Sequence, residues 1–282
     1  MSRELTPCQR IERSILTTYR EHIWSPFTRA VREYELIEPG DKIAVCISGG
    51  KDSMLMAKLL QELHRHTKIP FELVYLVMDP GYNARNRRKI EENAALLEVP
   101  VTIFESNIFD VANRTEKNPC YLCARMRRGH LYSKARELGC NKIALGHHFN
   151  DVIETTLLGM FYGAQLQGMP PKLRAKNFPG MELIRPLYMV HEEAILAWMH
   201  GNGLSFIQCA CRFTENITQE ESGNSKRQEV KLLLRQLRRD NPDLETNIFN
   251  SIHAVWLDTM PGWKHGGHTY TFPEIYRNRP EV

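Results

Sequence analysis

Short apolar runs alternate with helical patterns through the middle of the chain. Between the runs, apolar residues recur every three or four positions, which predicts helices there. The runs are rich in β-branched residues, and such an alternation is typical of a parallel sheet with helices on both faces. We therefore predict a doubly wound α/β domain. The predicted strands are 42–47, 71–79, 101–106, 142–148 and 181–189, and the predicted helices are 54–66, 85–99, 121–139, 150–163 and 191–203.

Helical patterns also flank this domain at both ends of the chain. Residues 8–36 carry apolar side chains at spacings of three and four that are interrupted by Pro26, which predicts two helical pieces. From about Thr218 the chain is polar with a helical pattern, and it ends in a tail containing Trp and Gly. We predict three parts: a helical segment 1–38, a central domain 39–215 and a helical, basic extension 216–282.

A glycine-rich loop follows the first predicted strand and precedes a helix. Open α/β sheets bind ligands at this kind of position, where glycines expose backbone N–H groups at a helix N-terminus to an anion. The GxxxxGK[ST] spacing of a Walker A loop is absent. A tight turn with a solvated lysine is the alternative. The loop reads SGGKDS and comprises Ser48, Gly49, Gly50, Lys51, Asp52 and Ser53.

Two acidic residues stand at the predicted carboxyl edge of the sheet. Asp79 ends the second strand, and Asp151 follows the fourth. Either carboxylate is a candidate to hold Mg²⁺ or to orient a nucleotide. The alternative for Asp151 is a helix N-cap, since it directly precedes a helical pattern.

The composition indicates a soluble globular protein with local basic clusters. The chain has 282 residues, 42% of them hydrophobic and 25% charged, with no long apolar run and no apolar N-terminal signal. We therefore expect a cytoplasmic protein without membrane contact. A net charge of +4 is too small to establish nucleic-acid binding, but two clusters could follow a phosphate backbone. One contains Arg125, Arg127 and Arg128, and the other contains Lys226, Arg227, Lys231, Arg235, Arg238 and Arg239.

The second basic cluster also fits a structural interpretation. Its apolar positions would pack an amphipathic helix on the core and leave the charges in solvent. Both interpretations can hold, because the charges occupy the other face. The apolar positions are Val230, Leu233, Leu234 and Leu237.

Cysteines form two closely spaced pairs among seven in total. Cys120 and Cys123 form a CxxC, and Cys209 and Cys211 form a CxC. Four thiolates would suit zinc, three with an open position would suit an iron-sulfur cluster, and a CxxC alone could be a redox pair. We favour the cluster. Cys46 is predicted to be a small core residue, while Cys8 and Cys140 have no partner at metal-ligand spacing.

Taken together, these motifs resemble the tRNA 2-thiocytidine synthetases and their tRNA thiouridine relatives, which are PP-loop ATPases. The resemblance covers most of the chain after about residue 40. It runs from SGGKDS through CYLCARMRRGHLY, KIALGHHFND, LLGMFYGAQLQGMPPKL and IRPL to KRQEVKLLLRQLRRDNP. It implies an adenine nucleotide alpha hydrolase-like fold, cleavage of Mg²⁺-ATP to AMP, adenylation of a tRNA base carbonyl oxygen, and its replacement by sulfur. A cysteine desulfurase or sulfide would be the sulfur donor, and a homodimer is expected.

The resemblance also implies roles for individual residues. The 4Fe-4S ligands would be Cys120, Cys123 and Cys209, with Cys211 as the alternative third ligand. Catalysis would depend on Lys51, Asp52 and Asp151, and tRNA would contact Lys226, Arg227, Lys231 and Arg235. The expected ATP-binding residues are Ser48, Gly49, Gly50, Lys51, Asp52, Ser53, Asp79, Arg127, Gly146 and Asp151.

The chain departs from the family pattern in three places. It reads GHHFND where 2-thiocytidine enzymes usually read GHHRDD, and it has CxC in place of the downstream CxxC. The zinc fingers of the thiouridine relatives are missing, since the ends offer only Cys8 and the pair His265 and His268, which we interpret as tail residues. The acceptor could therefore instead be a small molecule or a protein. A non-catalytic iron-sulfur carrier is the third hypothesis, and the intact SGGKDS argues against it.

Overall fold

The computed structural model describes residues 4–106, 108, 119–207 and 226–278. The chain divides into two compact units, Met1–Leu233 and Leu234–Val282. Within the described ranges, no helix is both long enough and apolar enough to cross a membrane. The three-part division into 1–38, 39–215 and 216–282 stays a prediction.

A six-stranded sheet forms the centre of the first unit. Its strand order is β3-β2-β1-β4-β6-β5. All neighbouring strands are parallel except β5, which pairs antiparallel with β6 at the edge. The predicted doubly wound parallel sheet is confirmed, whereas the antiparallel edge strand was not predicted. The strands are β1 (Lys42–Ile47), β2 (Glu72–Asp79), β3 (Val101–Glu105), β4 (Lys142–Ala144), β5 (Lys172–Arg174) and β6 (Glu182–Ile184).

Helices connect the strands and cover both faces of the sheet. Every helix that the sequence predicted between strands is present within a few residues of its expected bounds. Those of the first unit are α1 (Pro7–Leu16), α2 (Ser25–Glu33), α3 (Lys51–His66), α4 (Ala84–Leu96), α5 (Pro119–Glu137), α6 (Phe149–Gly163) and α7 (Glu192–Gly201). Helix α8 (Lys226–Asp240) crosses the boundary between the units, and a π-helical turn (Arg20–Trp24) precedes α2.

Three sequence-based boundaries were wrong. Of the predicted strand 181–189 only Glu182–Ile184 is a strand, because the chain turns at residues 186–189. Pro26 does not separate the N-terminal helices; it lies in the first turn of α2, where its missing N–H has no intrahelical partner to lose. The interruption is the turn at residues 17–19, after which the π-helical turn Arg20–Trp24 continues directly into α2. The fourth strand ends at Ala144 rather than at residue 148, because the chain leaves the sheet there to form a loop that carries Gly146.

The two faces of β1 pack into separate cores. Ile43 and Val45 face a core that also contains residues of α1, α2, α3 and α7. Ala44 and Cys46 face the other core, beside Tyr132 of α5. The prediction that Cys46 is a core residue is therefore confirmed, and Cys8 and Cys140 are buried free cysteines as well.

A buried lysine ties α1 to α3. The Lys58 side chain is fully buried, and its Nζ lies 2.6 Å from Glu12 Oε1 and 2.8 Å from the Leu97 carbonyl oxygen. A buried charge is tolerated only when it is paired and hydrogen-bonded, and these partners meet that requirement. Because α3 begins at the phosphate loop, this anchor also fixes the helix on which the loop depends.

The second unit contains a β-hairpin in the region that the sequence predicted to be helical. Strands β7 (Gly262–His265) and β8 (His268–Thr271) pair antiparallel between helices α9 (Leu244–Ser251) and α10 (Phe272–Arg277). Gly266 and Gly267 both have positive φ, +58° and +83°, as a two-residue hairpin turn requires. The Gly-Gly pair between alternating residues was the signal for this turn. His265 and His268 form the cross-strand pair next to it.

Candidate nucleotide site

A cavity of about 310 Å³ lies at the carboxyl edge of the sheet. It opens beside the ends of β1 and β4, the adjacent strands from which the chain continues in opposite directions across the sheet. Ligands of doubly wound folds bind at such a switch point. Predicted and new residues meet there: Ser48, Asp52, Ser53, Arg127, Arg128, Gly146 and His147 line the cavity.

The phosphate loop is held by its own hydroxyl groups. Ser53 Oγ donates to the Gly50 carbonyl oxygen at 2.9 Å, and it accepts from the Ser48 N–H at 3.2 Å. Gly50 caps α3 without a side chain, so the first helical N–H groups remain available to an anion. Gly49 has φ +84°, and a Cβ there would lie 2.6 Å from Ile90 Cγ1. Only glycine fits this position.

Gly146 brings the loop after β4 against the first turn of α3. A Cβ at Gly146 would lie 3.1 Å from the Ser53 backbone nitrogen and 3.2 Å from the Asp52 carbonyl carbon. Neither backbone atom can move without displacing the helix. Glycine permits this close backbone approach, and the predicted contact of Gly146 with the nucleotide stays a prediction.

Lys51 is held between two carboxylates. Its Nζ lies 3.2 Å from Asp52 Oδ2 and 3.1 Å from Glu192 Oε1, at the start of α7. Burial alone would lower the pKa of Lys51, but the charges of Asp52 and Glu192 outweigh it and raise that pKa. The lysine is therefore cationic at neutral pH. Asp52 Oδ1 is buried and accepts no hydrogen bond from any described residue.

Asp151 lies in the first turn of α6, at its third residue. It is not the N-cap, which is His148; instead Asp151 Oδ2 accepts from the His148 N–H at 3.0 Å. Its Oδ1 accepts from Arg227 Nη1 at 2.9 Å. Burial opposes ionisation, but the neighbouring His148 and Arg227 lower the pKa of Asp151. The carboxylate is thus charged and bonded on both oxygens.

Asp79 organises the loop that follows β2. Its Oδ1 accepts from the N–H groups of Gly81 at 2.9 Å and Tyr82 at 2.7 Å, and its Oδ2 accepts from Arg87 at 2.6 Å. Burial would raise the pKa of Asp79, but these donors lower it. Tyr82 in turn donates to the Ser48 carbonyl oxygen at 3.4 Å. Asp79 therefore contacts the phosphate loop through Tyr82.

Arginines form one wall of the cavity. Arg127 and Arg128 line it, and Arg185 lies beside them with only 5% of its surface exposed. Burial, reinforced by the charge of Arg128, lowers the pKa of Arg185 to about 10. No ion pair joins these arginines to a carboxylate of the described residues. Burial also lowers the pKa of His147 to about 4, so this wall carries a neutral imidazole among cations.

The site contains two further carboxylates that were not predicted from the sequence. Glu154 lies one helical turn after Asp151 on α6, so its spacing from Asp151 was an available signal. Glu192 begins α7, and no local signal marked it. Burial raises the pKa of Glu154 to about 7, although Lys231 and Arg227 lower it.

The predicted RNA-binding residues of α8 have different surroundings. Lys226 and Arg235 are exposed, whereas Arg227 and Lys231 are bound to carboxylates of the site. Val230 and Leu234 are buried as predicted. Leu233 and Leu237 were expected to pack on the core as well, but they are 37% and 42% exposed.

Comparisons with known proteins identify the family. A model described as the PP-loop domain matches residues 18–219. The tRNA-cytidine(32) 2-sulfurtransferase of Alkalilimnicola ehrlichii is 37% identical over 230 residues, which cover 80% of this chain and 70% of that protein. Its counterpart in Syntrophotalea carbinolica is 38% identical over 242 residues, covering 80% and 86%. The chain belongs to the tRNA-cytidine(32) 2-sulfurtransferase family.

A solved structure agrees with this fold. The U34-tRNA thiolase NcsA from Methanococcus maripaludis, described with its [4Fe-4S] cluster, matches with a TM-score of 0.64 and 23% identity. The match covers 81% of this chain and 77% of that one. The predicted membership in the 2-thiocytidine synthetases and the PP-loop fold are both confirmed.

The predicted cluster ligands are described only in part. Cys120 and Cys123 are the second and fifth residues of α5, and Arg127 and Arg128, one to two turns later on the same helix, line the cavity. Cys209 and Cys211 lie outside the described residues. The ligand set stays a prediction for this family member.

We expect Gly146→Ala to weaken ATP binding about tenfold, because overpacking of this kind costs one to a few kcal/mol. The added Cβ would press on the backbone of Ser53 and displace the first turn of α3. Titration calorimetry with ATP measures the effect. Gly129→Ala is the control, since a Cβ there meets nothing within 4 Å. Equal affinities of the two variants would contradict the prediction.

We expect Glu154→Gln to change the pH dependence of stability. With its pKa at about 7 in the folded chain, against 4.5 as the reference value, Glu154 stays protonated over a range in which the unfolded chain releases the proton. The free energy of unfolding of the wild type should therefore fall as the pH rises from about 4.5 to 7. Relative to the wild type, the variant should gain about 2 kcal/mol between pH 5 and pH 8.

Urea unfolding at the two pH values measures this gain. Glu137→Gln, at an exposed ion pair on α5, is the matched control. If Glu154→Gln and the wild type show parallel pH profiles, the buried carboxylate is not protonated as we expect.

Proposed function

We propose that the chain is an ATP-dependent tRNA sulfurtransferase that adenylates the carbonyl oxygen of a tRNA base and replaces it with sulfur. The observation that supports the proposal is an intact phosphate loop at the switch point of the sheet. The relatives of the chain are tRNA-cytidine(32) 2-sulfurtransferases. The base that fits those names is cytidine 32, at its 2-position. Adenylation makes chemical sense, because a carbonyl oxygen leaves poorly and AMP leaves well.

The phosphate loop binds the part of ATP that departs as pyrophosphate. Backbone N–H groups at the start of α3 and the Ser48 hydroxyl donate to phosphate oxygens, and Lys51 stabilises the charge that develops on the leaving group. Asp52 Oδ1 is buried and lies 3.2 Å from Lys51 Nζ but accepts no hydrogen bond from the described residues, so it is suited to Mg²⁺, a cation that prefers oxygen ligands. Asp79 and Asp151 act differently: donors already occupy both of their carboxylate oxygens, so they position the loop and α6.

The arginine wall, formed by Arg127, Arg128 and Arg185, would bind the α-phosphate end of the nucleotide. Arg127, Arg128 and Arg185 offer cationic donors without carboxylate partners among the described residues, which suits the α-phosphate and the AMP that leaves with it. His147 is neutral above about pH 4, so it can hydrogen-bond without adding charge.

A 4Fe-4S cluster would be held by Cys120, Cys123 and Cys209. Cys120 lies in the first turn of α5, where the helix dipole favours a thiolate over a thiol, and Cys123 lies one turn later. When bound by three thiolates, such a cluster keeps one iron open and supplies a place for sulfur chemistry. The donor of that sulfur is a cysteine desulfurase or sulfide.

Transfer RNA would approach along the exposed basic positions of α8. Lys226 and Arg235 are exposed there and suit phosphate contacts. Lys226 also lies 4.8 Å from the centroid of the Tyr162 ring, which is itself half-exposed. A homodimer and a cytoplasmic location complete the proposal.

Deleting the gene should remove 2-thiocytidine from tRNA nucleosides measured by mass spectrometry. The wild-type gene should restore it, and Lys51→Ala and Ser53→Ala should not. In purified protein, both variants should lower tRNA-dependent AMP formation by about a hundredfold, since Lys51→Ala removes a phosphate contact and Ser53→Ala removes the hydrogen bonds that hold the phosphate loop. Lys68→Ala, an exposed lysine beyond the end of α3, is the control. Undiminished AMP formation by both variants would rule out the phosphate-loop assignment.

Anaerobically purified protein should show the broad brown absorbance of an iron-sulfur cluster. Cys120→Ala, Cys123→Ala and Cys209→Ala should each lose it, because each removes one of three ligands. Cys211→Ala should retain iron, since two thiolates separated by one residue seldom bind the same cluster iron. Cys140→Ala is the control, since Cys140 is a buried cysteine in the core that also contains Cys46 and Tyr132. Loss of iron in Cys211→Ala but not in Cys209→Ala would reverse the assignment, and stoichiometric zinc without iron would contradict it.

A further inference from the structure

Two cations of α8 extend into the nucleotide site. Arg227 Nη1 lies 2.9 Å from Asp151 Oδ1 and 3.3 Å from Glu154 Oε2. Lys231 Nζ lies 3.2 Å from Glu192 Oε2 and 3.6 Å from Glu154 Oε1. All of these residues belong to the first unit. The spacing of four residues places the two cations one helical turn apart, so they meet the carboxylates as a pair.

Glu192 connects this pair to the phosphate loop. Its two carboxylate oxygens are divided, because Oε1 accepts from Lys51 and Oε2 accepts from Lys231. Its backbone N–H donates to Asn150 Oδ1 at 2.9 Å, which fixes the start of α7 against α6. The phosphate-loop lysine is therefore oriented by a carboxylate whose charge is balanced by a lysine of α8.

The carboxylates would oppose a triphosphate if nothing balanced them. Burial would raise the pKa of Asp151 and of Glu192, but their charged neighbours lower it, so both carboxylates are ionised at neutral pH, and Glu192 Oε1 lies 3.1 Å from Lys51 Nζ. An unbalanced carboxylate repels a nearby phosphate, and the repulsion is stronger at a partly buried site than in water. Arg227 and Lys231 supply the balancing charge at contact distance.

We propose that Arg227 and Lys231 are positioning residues of the nucleotide site: they neutralise Asp151 and Glu192, and they hold Glu192 where it orients Lys51. The inference rests on the nucleotide-binding part of the proposed function. It removes two of the four predicted tRNA contacts on α8 and leaves Lys226 and Arg235, whose side chains are exposed. Helix α8 thus takes part in ATP binding before any RNA arrives.

ATP binding without tRNA, measured by titration calorimetry, tests the proposal. Lys231→Met should weaken ATP binding about tenfold, because it leaves Glu192 unbalanced next to Lys51. The double variant Lys231→Met with Glu192→Gln should recover most of that loss. Glutamine keeps an oxygen for Lys51 but carries no charge for Lys231 to balance. If Lys231 only stabilised the fold, the folded single variant would bind ATP as the wild type does.

Lys134→Met is the matched control, since it removes the same charge from an exposed pair with Glu137 on α5. It should bind ATP as the wild type does. If Lys231→Met keeps the wild-type affinity for ATP, or if the double variant binds no better than the single one, the proposal is wrong. Lys231-dependent ATP binding in a protein that thiolates no tRNA would support this proposal and overturn the proposed function.

Discussion

The candidate site depends on one close backbone approach, between Gly146 after β4 and the first turn of α3. A Cβ at Gly146 would lie only 3.1 Å from the Ser53 backbone nitrogen, so the two loops can come this near only because residue 146 is glycine. Because the loops leave adjacent strands β1 and β4, this approach closes the floor of the cavity at the switch point. The phosphate loop, the arginine wall and α6 then take positions around a fixed floor. The buried Lys58 secures the same helix from its opposite side.

A chain of ion pairs runs from this floor to α8. It passes from Lys51 to Glu192, Lys231, Glu154, Arg227 and Asp151, which bonds back to the N-cap of α6. Each link is partly buried, so removing one member leaves another charge without its partner, which costs more than the pair itself contributes. The acidic half of the site is therefore stable only while α8 is in place. Helix α8 belongs to the nucleotide site in physical terms, although the sequence pattern suggests an RNA-binding surface.

Local chemistry explains what could be predicted from the sequence. The strand, the SGGKDS loop and the helix are contiguous, and their signals come from backbone geometry and hydrophobic period. Cys46 alternates with its neighbours, so its burial followed from the strand pattern. Glu192 and Arg185 could not be found in this way, because each reaches the site only through the sheet order and the start of a distant helix. The hairpin around Gly266 was missed although its signal was local, since the polar composition of the tail was given more weight than its turn residues.

The arginine wall and the surroundings of Lys51 differ in how readily they bind a phosphate, and this difference affects how ATP binds. The arginine wall has no carboxylate partner among the described residues, so a phosphate there gains ion pairs without breaking any. Lys51 is already paired with Glu192 and Asp52, so a phosphate on that side must compete with carboxylates. The first contact is therefore favoured at the wall of Arg127 and Arg128. The contact with Lys51 comes at the cost of an existing pair and is favoured only when the phosphate carries enough charge. A triphosphate carries more negative charge than AMP and meets that condition better.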